Sequence, residues 1–174
     1  MANIKYDNPS AHPIADSVKE LINRVADATN NPDIVITSTL RSPEAQAEAM
    51  ATNLYNGKRI RYRAPGAAVT KVFDDNCRKL ARSEVVKLMV AEIERQAEMG
   101  QRVSLHCVTE AQYDACNIID LSVTRMKNPR DFTNALAGEE KCRKIITPLT
   151  DVNYPSPKVS RDASEPALHV EILA

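Results

Sequence analysis

The chain lacks net charge, paired cysteine motifs and long apolar runs, and each absence excludes something. Its 23 basic and 23 acidic residues cancel, so no global field draws it to nucleic acid or to an anionic membrane. None of the four cysteines, Cys77, Cys107, Cys116 and Cys142, stands in Cys-x-x-Cys spacing, which argues against a structural zinc knuckle. Scattered reduced thiols are the simpler reading; in an oxidising compartment Cys107 and Cys116 are the pair placed to bridge. No segment approaches membrane-spanning length. Met1 to Pro13 is a polar tail without the charged-then-apolar order of a secretory signal. A soluble protein, cytoplasmic as made, is expected, with no repeat and no low-complexity segment.

What is present is a 174-residue chain with 43% hydrophobic residues, enough for one domain with a real core. Asp16 to Ala28 spaces Val18, Leu21, Ile22 and Val25 along one helical face. Asn30-Asn31-Pro32 stops that helix, and the β-branched run Ile34-Val35-Ile36 reads as a strand. Ser42 before Pro43 has the signature of an N-cap followed by proline at the first helical position, so a helix runs to about Leu54. That places Arg41 at a strand-to-helix junction. Asn56 to Gly66 is a basic loop with Lys58, Arg59, Arg61 and Arg63. Ala68 to Met99 is helical, interrupted near Arg82-Ser83-Glu84 with Ser83 as a cap, and closed by Gly100.

The period then shortens from 3.6 to 2. In Arg102 to Val108, Val103, Leu105 and Cys107 alternate with Ser104 and His106; in Asn117 to Val123, Ile119, Leu121 and Val123 alternate with Asp120 and Ser122. At the C-terminal end Leu168, Val170 and Ile172 alternate with His169 and Glu171. Three strands thus present His106, Asp120 and His169 on faces opposite their core residues. Pro129 to Ile146 reads as one or two helices broken at Gly138, and Leu149 to Ser164 as a proline-rich connection. The remaining histidine, His12, lies in the polar tail and is expected to be solvent-exposed.

Two imidazoles and one carboxylate leave a fourth tetrahedral position open on zinc, which is how a catalytic rather than a structural site is built. The simpler alternative is two half-buried histidines and a strand-edge aspartate that happen to fall on matched strands.

The order of these short motifs resembles the zinc D-alanyl-D-alanine metallopeptidases, bacterial cell-wall enzymes whose fold is shared with the hedgehog signalling domain. Ser38-Thr39-Leu40-Arg41-Ser42 matches that family's Ser-x-x-Arg-Ser helix start, Ser104-Leu105-His106 and Ile119-Asp120-Leu121 the two ends of its His-to-Asp motif, and Glu165-Pro166-Ala167-Leu168-His169 its Glu-x-Trp-His. The resemblance spans residues 34 to 173 and implies an α+β fold, with a small, mainly antiparallel sheet and helices packed on its core face. It also implies zinc held by His106, Asp120 and His169, Glu165 as general base, and Arg41 as binder of a substrate carboxylate or of the tetrahedral oxyanion. The substrate would be a peptidoglycan stem peptide, in a phage- or secretion-associated lytic enzyme.

The chain departs from the family pattern in three places. Between His106 and Asp120 the spacing is about twice the family's and the usual glycine is missing, so Cys107 to Cys116 forms an insertion and Asp114 competes as ligand. Glu165 stands one position too far from His169 and the tryptophan is absent, which makes Glu171 a rival base or an orienting residue. The basic loop and the helices after it are longer than the family core needs. These departures leave open a non-catalytic descendant that serves as a binding or structural module.

Overall fold

A computed structural model describes residues 1–150 and 156–174. The chain divides into two units, residues 1–40 with 110–174, and residues 41–109.

In the first unit, helix α1 (Asp16–Ala28) buries Val18, Leu21, Ile22, Val25 and Ala26, the stripe its apolar spacing requires. Thr29 and Asn30 end it, and Asn30 takes a left-handed φ of 56°, which asparagine tolerates better than most residues. The strands are β1 (Asn3–Tyr6), β2 (Asp33–Ser38), β3 (Cys116–Leu121), β4 (Cys142–Thr147), β5 (Val159–Arg161) and β6 (Leu168–Leu173). They form one sheet in the order β1-β2-β3-β6-β4-β5. Helix α5 (Glu110–Ala115) leads into β3, and α6 (Pro129–Gly138) precedes β4.

The sheet is mixed, which corrects the expectation of a mainly antiparallel one. β2, β3, β6 and β4 pair antiparallel in sequence of adjacency, but β1 runs parallel to β2 and β5 parallel to β4 at the two edges. The cause at the first edge is the crossover through α1, which returns the chain in its original direction. Residues 1–13, expected from their polar composition to be a tail, contain β1, which is half-exposed at the sheet edge. β4 and β5 stand where a helix and a proline-rich connection are expected; of that connection, Tyr154 and Pro155 lie outside the described residues.

Register assigns the two faces. Ile34 and Ile36, Ile119 and Leu121, Leu168, Val170 and Ile172, and Ile145 share one face and are at most 1% exposed. Ile118, Asp120, His169, Glu171 and Lys144 share the other. Asn117, although polar, is buried on the core side. Its amide accepts from the Ala15 backbone N–H at 2.7 Å and donates to the Tyr113 carbonyl at 2.7 Å, tying the start of α1 to the end of α5. His12 is half-buried rather than exposed, and packs edge-on to Tyr113 at 5.1 Å between ring centres.

Cys142 on β4 is fully buried, and burial pushes its thiol up to about 11 from an ordinary 9.0. All four cysteines are free thiols. A raised thiol pKa contributes stability that is complete below pH 9.0 and is lost as pH rises through about 11. The unfolding free energy from urea titration is therefore expected to fall between pH 8 and pH 10.5 by an amount on the order of 1–2 kcal/mol, and Cys142→Ala to flatten that fall.

The second unit contains α2 (Pro43–Tyr55), α3 (Ala64–Asn76) and α4 (Arg82–Glu98). The Ser42 hydroxyl accepts from the Ala45 N–H at 3.2 Å, with Pro43 opening α2. The helical break lies earlier than expected. It falls at residues 77–81 with Ala81 as N-cap, and the Glu84 carboxylate, not Ser83, accepts from the Ala81 N–H at 3.1 Å. The basic loop is shorter than expected, because α3 already begins at Ala64 with Pro65 in its first turn. Gly66 is required there, since a Cβ would sit 2.6 Å from Tyr62 Cβ. Gly100, at φ 73°, follows α4 in the left-handed turn that ends helices. Met50, Leu54, Val69, Phe73, Val85, Met89 and Ile93 form the core of this unit, and Cys107 joins it.

Candidate metal centre

Asp120 and His169 are fixed by the pairing of β3 with β6. They are direct cross-strand partners, and on one face such pairs bring side chains into contact. His169 Nδ1 lies 3.0 Å from Asp120 Oδ1. The same strand pairs Ile118 with Glu171, and on the far side Lys144 of β4 with Glu171. Glu171 Oε1 lies 3.7 Å from His169 Nε2 and 3.7 Å from Lys144 Nζ. The His169 side chain is 2% exposed, against 20% for Asp120 and 17% for Glu171. Burial alone would lower its pKa, but the two carboxylates outweigh that effect and the net direction is upward.

His106 is not on a strand. Residues 102–108 form bends and a turn, in which the Cys107 N–H donates to the Ser104 carbonyl at 3.1 Å. The alternation of Val103, Leu105 and Cys107 found no strand to pair with. His106 and Cys107 are both buried, where a strand exposed on one face would bury only one of two neighbours. Two anchors hold the loop instead: Cys107 enters the helical core, and the His106 carbonyl accepts from the Arg41 N–H at 2.9 Å. Burial raises the Cys107 thiol pKa, with Arg41 opposing the shift.

Asp120 and His169 offer a carboxylate oxygen and an imidazole nitrogen side by side in the sheet unit, and His106, the third candidate ligand, belongs to the helical unit. As a donor set the three could hold a metal ion. Its chemistry fits a borderline cation such as zinc, which takes imidazole nitrogen and carboxylate oxygen together. Ligand atoms at about 2.0–2.2 Å from a tetrahedral ion are roughly 3.3–3.6 Å apart, so the Asp120–His169 pair needs little rearrangement. Asp114 is exposed on α5 and is not among the three; the long spacing between His106 and Asp120 is taken up by that helix.

The other expected residues divide. Arg41 lies next to the His106 backbone, and its Nη1 donates to Gln46 Oε1 at 3.1 Å. Glu165 is half-buried in the turn before β6, where its backbone N–H donates to the Asp162 carbonyl at 3.1 Å. Ser122 pairs its hydroxyl with Thr124 at 3.1 Å. Lys144 was missed, because its strand was read as helix. No family model matches the chain, and no curated protein or solved structure matches it either. No helix among the described residues is long and apolar enough to cross a membrane.

Proposed function

We propose that the protein is a zinc-dependent peptidase that hydrolyses an amide bond in peptidoglycan stem peptides. The cross-strand pair of Asp120 and His169, 3.0 Å apart on one sheet face, carries the reading, with His106 as the third ligand of the set. The motif order that resembles the D-alanyl-D-alanine metallopeptidases supplies the substrate class. His106, Asp120 and His169 would hold the ion, which would supply acidified water and polarise the scissile carbonyl. Glu165 accepts the proton of the attacking water and returns it to the leaving amine. The Arg41 guanidinium neutralises charge that develops on the carbonyl oxygen.

Digestion of purified muropeptides followed by mass spectrometry tests this. The expected result is one new product mass with the zinc-loaded protein, abolished by a chelator, and reduced by about 10²–10⁴ in Glu165→Gln. Unchanged muropeptides in the presence of zinc-loaded protein would favour a binding module on the same scaffold, a reading to which the position of Glu165 outside β6 lends weight.

A further inference from the structure

We infer that Glu171 and Lys144 are positioning residues for the metal centre, and that they direct His169 to bind the ion through Nδ1. This rests on the metal-centre reading above and adds an assignment for a carboxylate otherwise in competition for the role of base. The observation is a row of four side chains across three neighbouring strands of one sheet face. Asp120 of β3 faces His169 of β6, and Glu171, two residues on, faces Lys144 of β4.

The imidazole therefore has a carboxylate at each nitrogen: Asp120 Oδ1 at 3.0 Å from Nδ1, and Glu171 Oε1 at 3.7 Å from Nε2. The two carboxylates are not equivalent. Asp120 is itself one of the three proposed ligands, whereas Glu171 turns its oxygen toward Lys144 Nζ at 3.7 Å. A neutral imidazole carries one N–H and one lone pair. At 3.7 Å Glu171 Oε1 stands just beyond hydrogen-bond length of Nε2, and a small closure that let it accept a hydrogen bond from Nε2–H would leave the lone pair on Nδ1, on the side of Asp120. An outer carboxylate that accepts the far N–H of a ligating histidine fixes its tautomer and ring orientation. Lys144 serves one layer further out, countering the charge of Glu171 and holding its oxygen near Nε2. A carboxylate engaged in this way is not the general base, which leaves that role to Glu165.

Zinc titration and nitrogen-resolved NMR of the full chain test the assignment. Glu171→Ala is expected to weaken zinc binding by about 10–100-fold, while Glu171→Gln, whose amide oxygen still accepts the Nε2 proton, keeps affinity within about threefold of wild type. Lys144→Met is expected to fall between these limits, and far-UV circular dichroism identifies any variant that has merely unfolded. In zinc-loaded wild type, long-range ¹H–¹⁵N correlation of His169 is expected to show a protonated Nε2 and a metal-bound Nδ1. Zinc on Nε2, or equal affinity in folded Glu171→Ala and wild type, would overturn the inference. A wild-type chain that binds no zinc would instead overturn the metal-centre reading itself.

Discussion

Protein purified in the presence of zinc is expected to hold about one ion per chain, and Asp120→Ala to lose it. Removal of a direct ligand is expected to exceed the roughly 10–100-fold penalty of losing an outer hydrogen-bond partner. Asp120 is the informative position because it is the carboxylate of the proposed ligand set and contacts His169 at 3.0 Å. The same loss should appear as stability. An ion that binds only the folded chain at a concentration a thousandfold above Kd stabilises it by about 4 kcal/mol. For a chain of 174 residues that corresponds to about 8–16 °C in Tm. Wild type should therefore melt lower by that amount after chelation, and Asp120→Ala should melt at one temperature with or without zinc. Inductively coupled plasma mass spectrometry and calorimetry measure the two effects. A zinc-free wild type whose Tm ignores chelator would leave these residues as a buried histidine–aspartate pair and a neighbouring histidine.

The parts of this centre that were legible in the sequence are those set by local pattern. Alternation in Asn117 to Val123 and in Leu168 to Ile172 identifies β3 and β6 and puts Asp120, His169 and Glu171 on a common face. Ser42-Pro43 fixes the start of α2, and with it Arg41. His106 was found for an incorrect reason. Its alternating neighbours imitate a strand, but the chain there is held by a turn and by the burial of Cys107, neither of which leaves a period in the sequence. β1 and β5 are short edge strands whose mixed exposure resembles tail or loop, and β4, an interior strand, has an irregular burial pattern in place of strict alternation. Asn3–Tyr6 is made a strand by its parallel pairing with β2 across α1, a contact between residues about thirty positions apart. Lys144 could be recognised only once β4 was known to lie beside β6, since nothing in its local sequence relates it to Glu171.

Arg41→Ala is expected to lower kcat by about 10²–10³-fold while zinc content stays at the wild-type level. The two expectations are separable because Arg41 reaches the centre in two ways. Its backbone N–H holds the His106 carbonyl at 2.9 Å, and any residue but proline at this position keeps that bond. Its guanidinium is steered by a side chain, Gln46, which is 3% exposed in the first turn of α2 and accepts from Nη1 at 3.1 Å. On the proposed peptidase reading, charge that appears only in the transition state would be stabilised by the guanidinium and not by the backbone, so the loss would belong in kcat rather than in metal affinity. Arg41→Lys keeps the charge but not the planar fork that matches an oxyanion or carboxylate, and should recover only part of the rate. Gln46→Ala, which frees the guanidinium without removing it, should cost less than Arg41→Ala. If Arg41→Ala instead released zinc, the arginine side chain would belong to the support of the His106 loop, and the stabilisation of developing charge would fall to the metal alone.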